Sequence, residues 1–304
     1  MNPTVSVICI SFNHALYVNE ALNSLFGQTY DSVEVIILDD GSTDESVKNI
    51  MGAIEGKDVK TVFHAKNQGY TKTFNEGLAL SSGNYIVDFA LDDVMKPDFL
   101  KKSIEKFEAV SDKVGVIFSN ADYIDGAGKV IENHTESLMK KGMIKEVPTG
   151  DVFEWILKRY FICTPTMVIK REVFDRLGGY DESLAYEDFD FWVRSSRFYE
   201  YTYLNEVLMN KRKLQSSMSS QRYRFHFNEQ MNSVFKVCEK AFHLVRTKSE
   251  RKALQERLNY EYRQCIRLDN HVLAEKYRLL MEQSGVNFNP LSQLAKFINR
   301  AQVQ

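Results

Sequence analysis

The chain is poor in the features that assign a class most quickly. Its four cysteines, Cys9, Cys163, Cys238 and Cys265, are far apart and form no C-x-x-C pair, which argues against a disulfide scaffold and leaves them as reduced thiols. The six histidines are equally scattered, with no H-E-x-x-H to suggest a histidine-based zinc site. The longest apolar stretches, such as Val5–Phe12 and Val33–Leu38, fall far short of the roughly 20 residues that a membrane-spanning helix needs. Met1-Asn2-Pro3-Thr4-Val5 lacks the basic start and apolar core of a secretory signal, so the cytoplasm is the expected compartment. No G-x-x-x-x-G-K-[ST] is present, and Gly126-Ala127-Gly128 has neither a third glycine nor a helix to open, which sets aside P-loop and dinucleotide-binding readings. With 5 Pro, 15 Gly, 44% hydrophobic and 26% charged residues among 304, the composition is that of an ordinary folded chain, long enough for one large domain with an appendage.

Charge is unevenly placed. Residues 222–304 carry 15 Lys and Arg against 8 Asp and Glu, a net of +7, which leaves 24 against 33, or −9, for residues 1–221. Neither Gly nor Pro interrupts the stretch between Arg222 and Ser284, so the basic tail is expected to be helical. These shifts divide the chain into a body, 1–220, and a helical region, 221–304.

Strand and helix signatures alternate through the body. Val5–Ile10 is a β-branched run, followed at helical spacing by Leu16, Leu22, Leu25 and Phe26 behind a candidate cap at Asn13. Val33–Leu38 repeats the strand signature, and Ser42-x-x-Glu45 reads as a capping box ahead of Val47, Ile50, Met51 and Ile54. Val59–His64 with a helix through Phe74 and Leu78 makes a third unit. Tyr85–Leu91, with Pro97 as a helix start before Leu100, Ile104 and Phe107, makes a fourth, and Val114–Ser119 a fifth strand. Such alternation predicts an α/β fold, a mixed and mainly parallel sheet flanked by helices, with ligands at the carboxyl ends of the strands.

Polar clusters fall at those ends. Ser11-Phe12-Asn13 follows the first strand, Asp39-Asp40-Gly41-Ser42 the second and Asn67-Gln68-Gly69 the third. Turn and cap chemistry explains Gly41 and Ser42, but two adjacent carboxylates at the end of a buried strand are unfavourable unless they bind something. Asp92-Asp93 at the tip of the fourth strand offers hard oxygen ligands of the kind Mg²⁺ or Mn²⁺ takes together with phosphate, or else a surface turn. In Gly178–Arg194, acids alternate with large aromatics around Glu187-Asp188. Apolar neighbours would raise a carboxylate pKa toward values useful for proton abstraction, while an acidic first helical turn is the plainer explanation.

In this order, Val5–Asn13, Val35–Asp44, Asn67-Gln68-Gly69, Gly83–Ile86, Asp92-Asp93 with Pro97-Asp98, and Gly178–Arg194 resemble glycosyltransferase family two of the bacterial surface-polysaccharide type, over about residues 4–220. The resemblance implies the GT-A fold and inverting transfer from a nucleoside-diphosphate sugar, a UDP-sugar in the reading taken here, to a glycan or lipid-linked acceptor. It implies donor contacts at Ser11, Asn13, Asp39, Asp40, Asn67, Gly69, Lys72 and Lys213, an Mn²⁺ or Mg²⁺ ligand at Asp92 with Asp93 in support, and a catalytic base at Asp188 beside Glu187. Inversion is then a single displacement, with Asp188 deprotonating the acceptor hydroxyl while the nucleoside diphosphate leaves from the opposite face. Acceptor-side structure is implied around Thr164-Pro165-Thr166, and the acceptor-setting region within 121–160.

Three departures from the family pattern stand out. The D-x-D motif falls on Ala90-Leu91-Asp92 and keeps only its last acid, Phe74 stands where many members carry Arg, and the late Y-R-x-H reads Arg212-Lys213-Leu214-Gln215, a poorer metal-ligand set. They motivate a rival reading as a non-catalytic sugar-nucleotide-binding or scaffold protein. A nucleotidyltransferase would carry a glycine- and lysine-rich loop after the first strand, and Ser11–Ala15 is not one. In the tail, Val234, Val237, Cys238, Ala241, Phe242 and Val245 share one helical face, and Leu254, Leu258, Tyr262, Cys265 and Ile266 another. The positive excess is either a solvated face or an attraction to anionic lipid at the inner face of the plasma membrane. Leu291, Leu294, Phe297 and Ile298 suggest a last amphipathic helix, and an acidic body argues against nucleic acid.

Overall fold

The structure, a computed structural model, describes residues 3–214 and 229–286. Two compact units divide the chain at 221/222. In chain order the first holds β1 (Val5–Ser11), α1 (Val18–Phe26), β2 (Val33–Asp39), α2 (Ser46–Ala53), β3 (Lys60–Phe63), α3 (Tyr70–Leu80), β4 (Tyr85–Ala90), β5 (Val94–Met95), α4 (Phe99–Glu108), β6 (Val114–Ile124), β7 (Val130–Asn133), α5 (His134–Lys140), α6 (Phe153–Lys158), a 3-10 turn at Thr164–Thr166, β8 (Val168–Lys170), α7 (Arg171–Leu177), α8 (Glu187–Ser195) and β9 (Glu200–Arg212). The second holds α9 (Glu229–Leu244), α10 (Lys248–Arg267) and α11 (His271–Gln283).

The strands form one sheet in the order β3-β2-β1-β4-β8-β6-β9-β5, with β7 paired to β6. β3, β2, β1 and β4 are mutually parallel, so their carboxyl ends share one edge: Ser11 lies opposite Asp39, and Ile10 opposite Ala90. β8 runs antiparallel to β4, which brings the turn before it, Thr164–Thr166, to the same edge. β9 pairs with both β6 and β5, placing Asn210 opposite Asp122 and Val94. The sheet's core includes Val7, Cys9, Ile37, Val87 and Phe89, with Leu22 of α1 and Phe99 and Leu100 of α4 against it. At about 1.5–3 kcal/mol for each large side chain removed from water, this layer fixes which strand faces turn inward.

Local capping departs from the sequence reading. Asn13 does not cap α1; it sits at φ 57° and its side-chain oxygen accepts from Thr43 N–H at 2.8 Å, while α1 begins only after Tyr17. Ser42 and Glu45 form no capping box, because the Ser42 hydroxyl is spent on Asp39 and on Asn13 N–H, and α2 starts at Ser46. Pro97 lies two residues ahead of α4, and the fifth strand signature extends to Ile124. None of the four cysteines forms a disulfide, and all four are buried.

In the second unit Val234, Val237, Cys238, Ala241, Leu254, Leu258 and Cys265 are buried as the periodicity requires, while Ile266 is on the surface. A capping box does form here, between Thr247 and Glu250 at the start of α10. Gln215 and the expected helix through Leu291, Leu294, Phe297 and Ile298 lie outside the described residues. Among the described residues no helix is long and apolar enough to cross a membrane.

Candidate active site

The two acids after β2 are buried by their own loop. Asp39 accepts from Ser42 N–H at 2.8 Å and from the Ser42 hydroxyl at 2.6 Å. Asp40 accepts from Gln68 N–H at 2.8 Å and Gly69 N–H at 2.9 Å, and pairs with His64 Nδ1 at 2.9 Å. The cost of burying adjacent carboxylates is thus met largely by backbone donors of the 39–44 and 67–69 loops, which the pair ties together. Burial opposes a charged His64 ring, but Asp40 on one nitrogen and Glu76 on the other hold its pKa above the ordinary value. Ser11, fully buried beside Asp39, has a hydroxyl oxygen with no partner among the described residues. Asn67 and Lys72 are exposed nearby, Lys72 on the first turn of α3.

Asp92 is half-buried and Asp93 buried at the tip of β4. Asp93 accepts from Arg212 N–H at 2.7 Å, and Arg212 crosses back to the Asp92 carbonyl at 2.8 Å. Burial and the neighbouring Asp92 push the Asp93 carboxyl well above the carboxylate range. Among the described residues no three His, Cys, Asp or Glu side chains converge to hold an ion by themselves. One open carboxylate is nevertheless a sufficient protein share for Mg²⁺ or Mn²⁺ when phosphate oxygens complete the shell, so Asp92, with Asp93 behind it, fits an ion that arrives with a diphosphate.

Glu187 and Asp188 form the acidic first turn of α8, where the helix dipole favours negative charge. The Thr164 hydroxyl donates to one Asp188 oxygen at 2.8 Å, so the turn before β8 touches the acid directly. Burial, reinforced by Asp188, drives the Glu187 pKa far upward. Position 74 is explained by packing: Phe74 is fully buried, with ring centroids 4.4 Å from Tyr180 and 5.3 Å from Phe174. A guanidinium there would have to be desolvated among aromatics.

Two groups at this edge, Asp88 and Lys211, were not singled out by sequence reasoning. Asp88, inside β4, accepts from the hydroxyls of Tyr70 at 2.6 Å and Tyr180 at 3.1 Å. Lys211 is the cation among the acids; burial would lower its pKa, but Asp93 and Asp188 are among the groups that hold it above the usual value. Lys213, by contrast, reaches Glu132 at 2.7 Å and lies 3.6 Å over the Tyr123 ring. A charged residue in the otherwise apolar run Tyr85–Ala90 was the available signal for Asp88; Lys211 and Lys213 share the same parity along the chain, so no local pattern favoured one over the other.

The family model described as Glycosyl transferase family 2 matches residues 6–178. An uncharacterized glycosyltransferase of Nostoc sp. is 38% identical over 131 residues, 42% of this chain and 39% of the relative, so the match spans well under half of that protein. One from Haemophilus influenzae is 27% identical over 241 residues, 75% of this chain and 70% of the relative. The fold is shared with S. aureus TarS residues 1–349 in complex with UDP-GlcNAc (TM-score 0.66, 17% identity, 86% of this chain and 73% of that one). It is shared likewise with a mannosyltransferase from Pyrobaculum calidifontis in complex with GDP-Man and Mn²⁺ (TM-score 0.65, 15% identity, 100% and 81%). With more than half of its length matched by the family model, and the GT-A sheet beneath the matched motifs, the chain belongs to glycosyltransferase family 2.

Proposed function

We propose that this protein transfers a sugar, with inversion, from a nucleoside-diphosphate donor to a hydroxyl of a glycan or lipid-linked acceptor in surface-polysaccharide synthesis, and that the donor is a UDP-sugar. The observation that carries the reading is the meeting, at one sheet edge, of Asp188 on the first turn of α8 with Thr164, and of Lys211 with both Asp188 and Asp93 of the β4 tip. The complexes of TarS with UDP-GlcNAc and of the mannosyltransferase with GDP-Man support a sugar-nucleotide donor in a fold of this kind.

The chemistry assigns roles by protonation state. Burial favours the protonated form of Glu187, and Asp188, which accepts from Thr164, is assigned as the base that takes the acceptor's proton. Thr164, by donating to one Asp188 oxygen, holds the carboxylate in place. Ser11, Asn13, Asp39, Asp40, Asn67 and Gly69 form the nucleotide side, with Lys72 and Lys213 flanking the phosphates. Lys211 sets a positive charge near Asp93 and Asp188. A divalent ion held by Asp92, when bound, supplies charge neutralisation to the departing diphosphate. The basic unit, 221–304, is assigned to the acceptor or to an anionic membrane surface rather than to donor chemistry.

The test is donor turnover: slow hydrolysis of a panel of sugar nucleotides with Mn²⁺ or Mg²⁺, which needs no known acceptor. Asp188→Asn is expected to lower turnover by about 10²–10⁴-fold while UDP binding, read by calorimetry, is retained. Chelation is expected to abolish turnover. A wild type silent against every donor and a broad acceptor panel would favour the non-catalytic scaffold reading.

A further inference from the structure

Asp88 is the charged residue of β4, flanked by the fully buried Val87 and Phe89 and itself 6% exposed, and the reaction above does not use it. An apolar side chain would satisfy a strand core at lower cost, so packing does not account for it. Two hydroxyls from different segments meet on it. Tyr70 opens α3 immediately after Gly69 on the donor side and donates to Oδ1; Tyr180 follows the Gly178-Gly179 turn on the way to α8 and donates to Oδ2. Asn75 of α3 grips the Tyr180 backbone separately, accepting its N–H at 2.9 Å and donating to its carbonyl at 2.9 Å, so the segment stays attached without the carboxylate. The other titratable groups facing Asp88 are Glu187 and Asp188 of α8, Lys211 of β9 and Cys9 of β1.

We propose that Asp88 is a positioning residue whose two oxygens clamp the donor-side turn at Gly69-Tyr70 to the segment leading into α8, and thereby fix Asp188 against the donor. The role rests on the glycosyl-transfer reading. A charged carboxylate accepts at both oxygens, whereas the protonated acid gives up acceptor capacity, so the clamp depends on ionisation. Burial raises the Asp88 pKa to about 7, against the opposing effect of the Tyr70 hydrogen bond and with the Asp188 charge adding to it. The clamp therefore tightens as pH rises through neutrality.

Full-length wild type, Asp88→Asn, Asp88→Leu, Tyr70→Phe and Tyr180→Phe are compared for kcat of donor turnover across neutral pH and for UDP affinity by calorimetry. Both Asp88 variants are expected to lose roughly 10-fold or more in kcat with UDP affinity within about threefold, because a misplaced base costs rate rather than binding. Wild-type kcat should rise through an inflection near pH 7. Asp88→Asn should lack that inflection. Each Tyr→Phe change should move it to higher pH, since removing a donor to the charged form raises a carboxylate pKa; a purely structural residue would produce no such displacement. Wild-type kcat and inflection in Asp88→Asn would overturn the proposal. Hydrogen exchange decides the clamp independently of turnover: residues 67–75 and 178–188 should exchange faster in Asp88→Asn, and unchanged exchange overturns it. A wild type that turns over no donor removes the transfer reading alone, and the exchange result then stands by itself.

Discussion

Gly41 turns the chain at φ 74° between Asp40 and Ser42, and a Cβ there would lie 2.5 Å from the Lys66 carbonyl carbon and 2.6 Å from Asn67 N. Both obstacles are backbone, so neither can rotate aside. Gly41→Ala is expected to cost on the order of 3 kcal/mol, combining left-handed strain with overpacking, read as a lower urea midpoint with unchanged slope. Because the same two loops carry Asp39, Asp40, Asn67 and Gly69, UDP affinity should fall with stability. Asp39 and Asp40 show why acids at the end of a buried strand are ambiguous in sequence. Each is satisfied by neighbouring donors before any ligand arrives, and the same satisfaction preorganises the loop for one.

Between elements, the aromatic contact of Phe74 with Phe174 and Tyr180 joins α3 to α7 and to the segment before α8. Gly179, at φ 85°, leaves room for Asn75, whose oxygen would be 2.6 Å from a Cβ. Arg194 returns from α8 to the carbonyls of Leu177 and Gly179 and pairs with the buried Asp190 at 2.6 Å, closing the turn from the other side. Truncating the centre of this packing, Phe74→Ala, is expected to destabilise the protein by about 3–5 kcal/mol. Phe74→Leu should recover much of that loss, and chemical denaturation of the two variants checks both values.

Over the whole molecule, Asp88, Asp93 and Glu187 share one sign: each carboxyl has a folded-state pKa above its unfolded one, chiefly through burial. Such groups contribute stability below their unfolded pKa, and that contribution is lost as pH rises through the folded value. Glu187→Gln removes one of these titrations. Its melting temperature relative to wild type should therefore be higher at pH 8 than at pH 5, by a few degrees if the difference is on the order of 1 kcal/mol. Scanning calorimetry at the two pH values measures it, and a relative melting temperature independent of pH would contradict a Glu187 pKa raised by burial. The same variant is expected to lose activity, because Asp188, the proposed base, shares its surroundings.

Periodicity alone determined the alternating strands and helices, the carboxyl-edge location of Ser11, Asp39 and Asp92, and the apolar faces of α9 and α10, because these depend on spacing along the chain and on which side chains must leave water. Capping was misread at Asn13 and Ser42, whose side chains found partners 30 and 29 residues away that no local pattern encodes. Tertiary structure alone decided that Thr164 meets Asp188, that Lys211 rather than Lys213 stands among the acids, and that Asp88 joins Tyr70 to Tyr180 across 110 residues of chain. The physical reason is that a buried charge is stabilised by whatever donors folding brings within about 3 Å, and that meeting is set by strand order and crossover rather than by sequence neighbours.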